Sequence, residues 1–490
     1  MKKVIKDPDL FRLFENCFPN TLDTAITWKG MAHGSEDEEL TFITTGDIPA
    51  MWLRDSAHQL QSYASLLKPN ASASSLASLF RGAIHLQARY ILAAPHCNAF
   101  HAPPEADLAP ATAPFLTSGT SDYVMPPIPQ PDPFSTGSIS QSNTSTVFEC
   151  KYELDSLASF LQLCATYHSA TGDTAFFGRA GGGSSGNGNS SFLAAIRTIV
   201  ETATELLGGT YNRDGSVALP PYQFQRYTST ATETLANGGA GNPVKGGTGM
   251  VRSAFRPSDD ACIYQLFVPA NMMFSRYLSA CAGIVEAVGG DARGLAKRMR
   301  GLAEGIRKGV ERYGRVDHRG YGRVYAYEVD GYGGAGLMDD ANIPSLLSAP
   351  LFGYVDRDDP IYQNTRRFVL SEDNPYYMWG PVLNSTGGPH IGPGMAWPMG
   401  LIVRILTSDN DDEIVSSLKQ LLSSTDGYGL MHESVNTHSE SVWTRHWFSW
   451  ANGLFGQMIL DLNERKPHLL GLSYQPSTNQ EARSGSGLVL

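Results

Sequence analysis

The sequence is poor in charge and has no basic block. Only 17% of its 490 residues are charged, and 37 basic against 48 acidic residues give a formal net charge of −11. Nucleic acid and anionic membrane surfaces are poor partners for such a chain. A hydrophobic content of 42% still indicates a folded globular protein. A neutral substrate such as a glycan suits this composition.

Cysteine is also scarce, and its spacing excludes the common zinc motifs. No CxxC pair occurs among the six cysteines, which are Cys17, Cys97, Cys150, Cys164, Cys262 and Cys281. In a chain of this length all six can be free and buried. One or two disulfides are the alternative, if the protein passes through an oxidising compartment. The sequence leaves both states open.

Targeting signals are missing from the sequence as well. The first residues, MKKVIKDPDLF, lack the apolar region of a signal peptide, and no stretch is long and apolar enough to span a bilayer. The default expectation is a cytoplasmic protein without an obligate protein partner. Secretory passage is the alternative if the N-terminus is incomplete, because N-glycosylation sequons begin at Asn70, Asn143, Asn189 and Asn384.

Motifs of nucleotide, metal and serine-hydrolase chemistry are absent too. There is no GxGxxG after a strand, no P-loop, no HExxH and no GxSxG. The run TSDNDDE at residues 407–413 lacks the central glycine and the distal glutamate of a calcium loop. The sequence therefore predicts neither a metal nor a cofactor, and these absences support carboxylate chemistry.

Helical periodicity dominates what is present. Apolar residues recur at i, i+3, i+4 and i+7 in about a dozen segments, and strand-like alternation is best at residues 41–45 and 322–333. Many helices joined by long loops favour an all-α fold, a closed double ring of helices with its site at the loop end. The clearest predicted helices are residues 56–67, 153–169, 192–207, 261–287, 292–313, 412–422 and 447–463.

Two segments of biased composition are predicted to be loops inserted into one catalytic domain over residues 1–490. Residues 103–146 are rich in Pro, Ser and Thr, and residues 180–191 are mostly Gly and Ser. Neither segment separates regions of different composition, which argues against a domain boundary. The tail, residues 475–490, is predicted to be flexible.

Five loop regions combine acids, aromatics and turn residues, as a glycosidase site requires. Aromatic faces cover a sugar's apolar face, while carboxylates, Arg and His bind its hydroxyls. Glycoside cleavage needs one carboxylic acid to protonate the leaving oxygen and a second carboxylate to activate water or attack. Candidate platforms are Trp52, Trp397, Trp443, Trp447 and Trp450. The regions are residues 46–59, 148–156, 255–274, 336–347 with 387–400, and 431–458.

Two of these regions hold the best candidates for the acid and the base. Asp259 and Asp260 precede a predicted apolar helix; the alternative is that Ser258 or Asp259 caps that helix, whose dipole lowers a carboxyl pKa instead of raising it. Glu433 stands among neutral polar residues that can orient a water molecule. Its alternative is a structural salt bridge with Arg445.

Together the regions resemble glycoside hydrolase family 125, the exo-α-1,6-mannosidases. The resemblance extends from about residue 20 to about residue 463. Both inserted segments depart from the compact bacterial members and look like insertions of fungal relatives. In family order, the matching stretches are GDIPAMWLRDSAHQ, KYELDS, FRPSDDA, YEVDGYGGAGLMDDANIPSLL, GPHIGPGMAWPMG, and MHESVN with WTRHWFSWANGLFGQ.

The resemblance implies an (α/α)6 barrel and metal-independent, inverting removal of non-reducing terminal α-1,6-linked mannose from mannans or N-glycan-type oligosaccharides. It supports an acid in FRPSDDA, placed at Asp260 with Asp259 as the second choice, and a base at Glu433. Inversion requires the two carboxyls to stand roughly 6.5–9.5 Å apart. Trp397 is added to the terminal mannose subsite as a platform. The contacts implied there by resemblance are Arg54, Asp55, Asp339, Asp340, His390 and Arg445.

Two other functions stay open at this point. A sugar epimerase or isomerase on the same helical barrel needs a pair of histidines as acid and base, for which His390 and His446 are candidates. A catalytically inactive glycan-binding protein would keep the aromatic platforms.

Overall fold

The chain folds mainly into helices. It is described here from a computed structural model that places residues 1–109, 122–125, 138–139, 146–179, 190–290 and 292–475. Within these ranges the α-helices are α1 (Pro8–Cys17), α2 (Leu53–Gln61), α3 (Leu76–Ala93), α4 (Leu154–Thr171), α5 (Thr174–Gly178), α6 (Ser191–Glu205), α7 (Val268–Val288), α8 (Ala292–Tyr313), α9 (Pro360–Val369), α10 (Pro398–Leu406), α11 (Asp411–Ser423), α12 (Ser449–Arg465) and α13 (Pro467–Leu470).

Short strands lie between the helices and pair into small antiparallel sheets of two or three strands. They are β1 (Ile26–Met31), β2 (Glu39–Ile43), β3 (Met51–Trp52), β4 (Ala99–Phe100), β5 (Asp122–Met125), β6 (Ser138–Ile139), β7 (Val147–Glu149), β8 (Gln223–Gln225), β9 (Leu266–Phe267), β10 (Arg315–His318), β11 (Gly322–Tyr325), β12 (Glu328–Val329), β13 (Ala335–Gly336), β14 (Tyr377–Met378), β15 (Ser385–Thr386), β16 (Met395–Ala396), β17 (Ser434–Asn436) and β18 (Ser439–Thr444). The prediction of a mostly helical fold with minor β-structure is confirmed.

Five helices form an inner layer and contact one another in the order α10, α12, α2, α4, α7. Their first turns are buried on every side, as in Leu53–Leu60 of α2 and Val268–Ser275 of α7. A helix buried on every side has to lie inside the protein, where its apolar side chains are removed from water and polar ones such as Arg54 and Asp55 need partners.

The outer layer consists of amphipathic helices that cover the inner ones. α8 packs against α7, α3 against α4, and α1 and α11 against α12 and α10. In α8 the buried stripe includes Leu295, Met299, Ile306 and Val310, at the three- and four-residue spacing of one helix face. Two layers of helices therefore share one apolar core.

Each inner helix begins where a short extended segment ends, without a side-chain cap. The N-cap residues are Trp52, Glu153, Phe267, Trp397 and Phe448, and none of their side chains accepts a hydrogen bond from the backbone of its own helix. These positions are occupied by large or acidic side chains that face other elements. Residues at or just before the start of α2, α4, α10 and α12 border one cavity.

Helix boundaries differ from the prediction where local chemistry interrupts the periodicity. The helix predicted over residues 261–287 begins only at Val268, because Ala261 forms a bridge with Phe255, residues 263–265 are bent, and β9 precedes Pro269 in the first turn of α7. Asp259 therefore does not cap a helix. The helix predicted over residues 56–67 ends at Gln61.

The inserted segments are described only in part. β5 and β6 lie within residues 103–146, which were predicted to be a loop, and β5 pairs with β8. Most other residues of that segment, residues 180–189 of the second segment and residues 476–490 of the tail lie outside the described residues. In the part of the chain that is placed, no helix has both the length and the apolarity needed to cross a bilayer.

One disulfide forms, between Cys97 and Cys150. The other four cysteines are free and buried, namely Cys17, Cys164, Cys262 and Cys281. Of the two states that the sequence left open, the one with a disulfide is observed.

Candidate active site

The cavity at the start of the inner helices has a volume of about 280 Å³. It gathers residues from all five loop regions predicted to carry chemistry. Three tryptophans, Trp52, Trp397 and Trp450, contribute to its wall. The charged or titratable wall residues are Arg54, Asp55, Glu149, Lys151, Arg226, Glu233, Asp259, His390, Glu433 and Arg445.

Asp259 reaches the cavity because of a tight turn. The Asp259 N–H donates to the carbonyl of Arg256 (2.9 Å), and Pro257 fixes the first corner of that turn. Asp259 itself has a left-handed backbone, with φ at 65°, which is uncommon for any residue but glycine. Its side chain is 23% exposed. A strained non-glycine residue at a cavity is a frequent mark of function.

Asp260 lies behind the cavity wall and not in it. Its side chain is 2% exposed and accepts a hydrogen bond from the Ser258 hydroxyl (2.7 Å). His390, which does border the cavity, stands 3.7 Å from the other Asp260 oxygen. Partial burial lowers the His390 pKa, but the Asp260 carboxylate raises it to about 9. The structure thus makes Asp260 a partner of His390, in contrast to the prediction that Asp260 faces the substrate.

Arg54 organises the other side of the wall. Its guanidinium lies 2.5 Å from Glu153, 3.3 Å from Asp155, 3.2 Å from Asp55 and 3.3 Å from Asp259. The arginine is 4% exposed, and Glu153 and Asp155 are fully buried. One cation therefore faces four carboxyl groups in a site of low dielectric constant.

Crowding of carboxyl groups changes their acidity. Burial raises the pKa of Asp55 and of Asp155 to about 6 although Arg54 opposes the shift. Burial also raises the pKa of Glu153 well above its usual range, again against the effect of Arg54. Asp259 differs: burial raises its pKa, but Arg54 and a hydrogen bond with Glu153 hold it below the usual range. The cluster therefore retains protons at a pH where free carboxyls have lost theirs.

Glu433 occupies a second part of the wall and is held at both oxygens. Thr444 donates its hydroxyl to Oε2 (2.9 Å), and Arg445 lies 3.3 Å from Oε1. Arg445 also donates to Asp47 through Nε (2.8 Å) and has a left-handed backbone, with φ at 55°. The salt bridge that the sequence offered as an alternative to a catalytic role does form. Glu433 nevertheless borders the cavity, so the two interpretations are compatible.

The tryptophans divide into wall residues and packing residues. Trp397 packs edge-on against His390 and Phe448, and Arg54 lies 5.7 Å from the ring of Trp450. By contrast, Trp443 stacks on His432 (4.5 Å) outside the wall. The candidates that border the cavity are thus Trp52, Trp397 and Trp450.

Asp339 and Asp340 do not border the cavity, in contrast to the role that the resemblance implied. The two oxygens of Asp339 accept the N–H groups of Leu346 and Leu347 (2.8 and 2.9 Å), so this carboxylate holds a turn. Asp340 accepts from the backbone and side chain of Asn342, both at 2.9 Å. Each aspartate is 1% exposed. Asn342, not either aspartate, reaches the wall.

Arg54, Asp55, His390, Trp397 and Arg445 border the cavity, and their contact with a terminal mannose stays a prediction. His446, the second histidine considered for an isomerase, packs against Trp443 and Tyr428, with ring centroids 4.7 and 5.7 Å apart, outside the wall. The histidine pair that an isomerase would need is therefore not brought together at this cavity.

Sequence reasoning missed three polar residues around the cavity. Lys151 and Arg226 line it, and Asn98 lies behind it, donating to Glu149 (3.1 Å) and to Glu153 (3.2 Å). Lys151 belongs to the stretch KYELDS, and its place in that stretch was the only indication of a role in the sequence. Nothing in the sequence marked Asn98 or Arg226, since each of them is brought to the site by chain folding alone.

A larger cavity, of about 550 Å³, lies elsewhere, beside the ion pair of Arg81 with Glu39 (2.5 Å). None of its lining residues belongs to the stretches that carry the family resemblance. Among the residues placed in the structure, no group of three or more His, Cys, Asp or Glu side chains is arranged to hold a metal ion. The smaller cavity is therefore the candidate active site.

Known proteins match the chain over nearly its full length. A family model described as metal-independent α-mannosidase (GH125) matches residues 7–460. The Meiotically up-regulated gene 157 protein of Schizosaccharomyces pombe is 48% identical over 473 residues, which cover 96% of this chain and 85% of that protein. A metal-independent α-mannosidase structure from Streptococcus pneumoniae, in a non-productive substrate complex with α-1,6-mannobiose, is 33% identical with a TM-score of 0.76. That match covers 94% of this chain and 95% of the bacterial one.

Proposed function

Because the chain belongs to glycoside hydrolase family 125, the metal-independent α-mannosidases, we propose that it is an exo-acting enzyme that releases terminal α-1,6-linked mannose with inversion. The bacterial relative in complex with α-1,6-mannobiose supports this linkage. A cavity of about 280 Å³ is at the small end for ligand sites, which suits one terminal sugar ring better than the interior of a chain. Mannans or N-glycan-type oligosaccharides would supply such ends.

The observation that carries the mechanism is that Asp259 and Glu433, from regions far apart in sequence, line the same cavity. Hydrolysis with inversion needs a carboxylic acid on one side of the glycosidic bond and a carboxylate that activates water on the other. We assign the acid to Asp259 because Asp260 is buried behind the wall and engaged with Ser258 and His390. The separation of roughly 6.5–9.5 Å stays a prediction of this mechanism.

Glu433 suits the role of base. Thr444 and Arg445 fix its two oxygens, so the carboxylate has one orientation toward the cavity. As the base, Glu433 would take a proton from a water molecule held in the cavity. Arg54, Asp55, His390 and Arg445 supply hydrogen-bonding groups for the hydroxyls of the sugar, and Trp397 supplies an apolar face.

We also infer that the helical layers close into an (α/α)6 barrel. The inner helices form a continuous row from α10 to α7. Gly353, in the segment before α9, lies beside Arg276 of α7, while Arg366 of α9 donates to the Arg404 carbonyl of α10 (3.5 Å). These contacts support α9 and the segment before it as the sixth position of the proposed ring.

The test is proton NMR of the purified protein during turnover of α-1,6-mannobiose. Early β-mannose is expected from the wild type. Asp259→Asn and Glu433→Gln should each lower kcat by about a hundredfold or more, whereas the neighbouring control Asp260→Asn should retain much more activity. Because 2,4-dinitrophenolate leaves without a proton, Asp259→Asn should be far less impaired on 2,4-dinitrophenyl α-mannoside, and Glu433→Gln should be impaired on both substrates.

Early α-mannose would refute inversion. A severe loss in Asp260→Asn with an active Asp259→Asn would move the acid back to Asp260. Binding of the glycan without turnover by the wild-type protein would instead support a glycan-binding protein.

A further inference from the structure

Glu153 shares two polar partners with Asp259, although it lies outside the cavity wall. The two carboxyl groups stand close enough for a hydrogen bond between them when one of them carries a proton. Arg54 bridges the pair, with Nη1 at 2.5 Å from Glu153 and Nη2 at 3.3 Å from Asp259. Asn98 bridges it a second time through Nδ2, 3.2 Å from Glu153 and 3.5 Å from Asp259.

The start of α4 turns Glu153 toward this pair. Glu153 is the N-cap residue, but its side chain accepts no hydrogen bond from its own helix backbone. It accepts one from the Ser156 hydroxyl instead (3.1 Å). With its side chain fully buried, Glu153 exchanges protons only through its neighbours, of which Asp259 alone reaches the cavity with an exposed carboxyl.

A hydrogen bond between two carboxyl groups requires a proton on one of them, since an ionised carboxylate only accepts. The charges around the pair also favour one retained proton, because the cations that face it, Arg54, Lys151 and His390, are fewer than the surrounding carboxyl groups. The groups that face the pair are Arg54 and Asp55 on α2, Glu149 and Lys151 before α4, Asp155 on α4, and Asp260 and His390 beyond Asp259.

We propose that Glu153 is a positioning residue that stores the proton which Asp259 delivers to the leaving oxygen. The inference rests on the proposed role of Asp259. The proton moves from Glu153 to Asp259, and Asp259 passes it to the glycosidic oxygen as the C–O bond breaks. Glu153 is left as a carboxylate beside Arg54. Glu433 takes a proton from the attacking water and releases it to solvent, and the pair takes one up, so the protons balance.

This arrangement determines the alkaline limit of activity. The pair shares one proton and titrates as a unit. In Glu153→Gln the neutral amide still donates to Asp259, as protonated Glu153 does, but it stores no proton. Asp259 alone would then lose its proton at the low pKa that Arg54 and this hydrogen bond give it. Loss of the acid form with rising pH would then occur earlier.

The experiment compares Glu153→Gln with Asp155→Asn, a matched control that is also buried on Arg54. In Glu153→Gln the alkaline limb of kcat/KM on α-1,6-mannobiose should move down by about one pH unit or more, and kcat at neutral pH should fall by about tenfold or more. On 2,4-dinitrophenyl α-mannoside the same variant should lose much less. The limb of Asp155→Asn should move less than that of Glu153→Gln, and Glu153→Asp should restore part of the shift.

If Glu153→Gln lost activity equally on both substrates and its alkaline limb of kcat/KM did not move, the proposal would be overturned. Glu153 would then be a structural residue. If Glu153→Gln does not fold, infrared difference spectra of the wild type replace it. A protonated carboxyl should then titrate over the same pH range as the alkaline limb, and its absence would overturn the proposal as well. Asp259→Asn distinguishes failure of the acid assignment from failure of the proton store. High activity of Asp259→Asn on mannobiose would refute the acid assignment. Its inactivity, together with an unmoved alkaline limb in Glu153→Gln, would refute only the proton store.

Discussion

The disulfide between Cys97 and Cys150 joins two segments that build the cavity wall, so its loss is expected to weaken both the fold and the activity. Cys97 immediately precedes Asn98, and Cys150 precedes Lys151. The Lys151 N–H donates to the Asn98 side chain (3.0 Å), and Asn98 in turn donates to Glu153. Breaking the covalent link leaves this alignment to hydrogen bonds alone.

The size of the effect follows from the chain length between the two cysteines. They are 53 residues apart, and closing a loop of that length removes roughly 4 kcal/mol of conformational entropy from the unfolded state at room temperature. Unfolding entropy per residue, multiplied by the length of this chain, converts this free energy to a fall in Tm of roughly 4 °C.

Scanning calorimetry of the wild type and of Cys97→Ser/Cys150→Ser, each with and without reductant, is the assay. Reductant should lower the wild-type Tm toward that of the double variant and leave the variant unchanged, which controls for other effects of the reductant. The kcat/KM on α-1,6-mannobiose should fall in the variant. A wild-type Tm that reductant does not change would refute the reasoning, and so would free thiols at Cys97 and Cys150 in non-reducing peptide mapping.

Three further predictions concern separate parts of the molecule. Thr444→Val removes the hydroxyl that orients Glu433 while it keeps the shape of the side chain, and it should lower kcat by about five- to tenfold without changing Tm much; an unchanged kcat would contradict the orienting role. Asp339 has a pKa raised by burial to about 7, opposed by two backbone N–H groups. The folded state therefore binds this proton more tightly than the unfolded state, so stability should fall as pH rises from about 4 to about 7, by roughly 4 kcal/mol from this group. Denaturant titrations should show this slope in the wild type and a reduced slope in Asp339→Asn; equal slopes would refute it. The disulfide favours an oxidising compartment, and mass spectrometry of protein from its native host should then find a glycan on the exposed Asn70; a wholly unmodified Asn70 would argue for the cytosol.

Helices with a clear apolar stripe could be predicted well from the sequence. α8 occupies the predicted residues 292–313, and α11 extends one residue beyond the prediction at each end. Their periodicity is strong because one face is buried and the other is in water. The start of α7 was predicted too early, because residues 261–265 continue the apolar pattern of the helix. In the structure the bridge of Ala261 with Phe255 and the pairing of β9 with β12 keep this segment out of the helix. Tertiary pairing of this kind leaves no local signal.

The choice between Asp259 and Asp260 shows where sequence reasoning stops. From the sequence alone, either aspartate can be a helix cap or the general acid. The left-handed backbone of Asp259 decides which of the two carboxyls reaches the cavity, and that conformation depends on the bridge of Phe255 with Ala261 around the turn. Glu433 was easier to identify because its neighbours Thr444 and Arg445 lie on the same hairpin, only 11 and 12 residues away.

The network around Arg54 could not be predicted, because its partners Glu153, Asp155 and Asp259 lie 99, 101 and 205 residues away. This network contributes little to the stability of the fold. Buried ion pairs gain little over apolar packing, and carboxyls in excess of their cations raise the cost. The same excess makes the cluster hold a proton at a pH where exposed carboxyls are ionised, and a general acid needs that property. A cluster that stabilises the fold poorly but retains a proton beside the cavity is therefore best explained by catalysis.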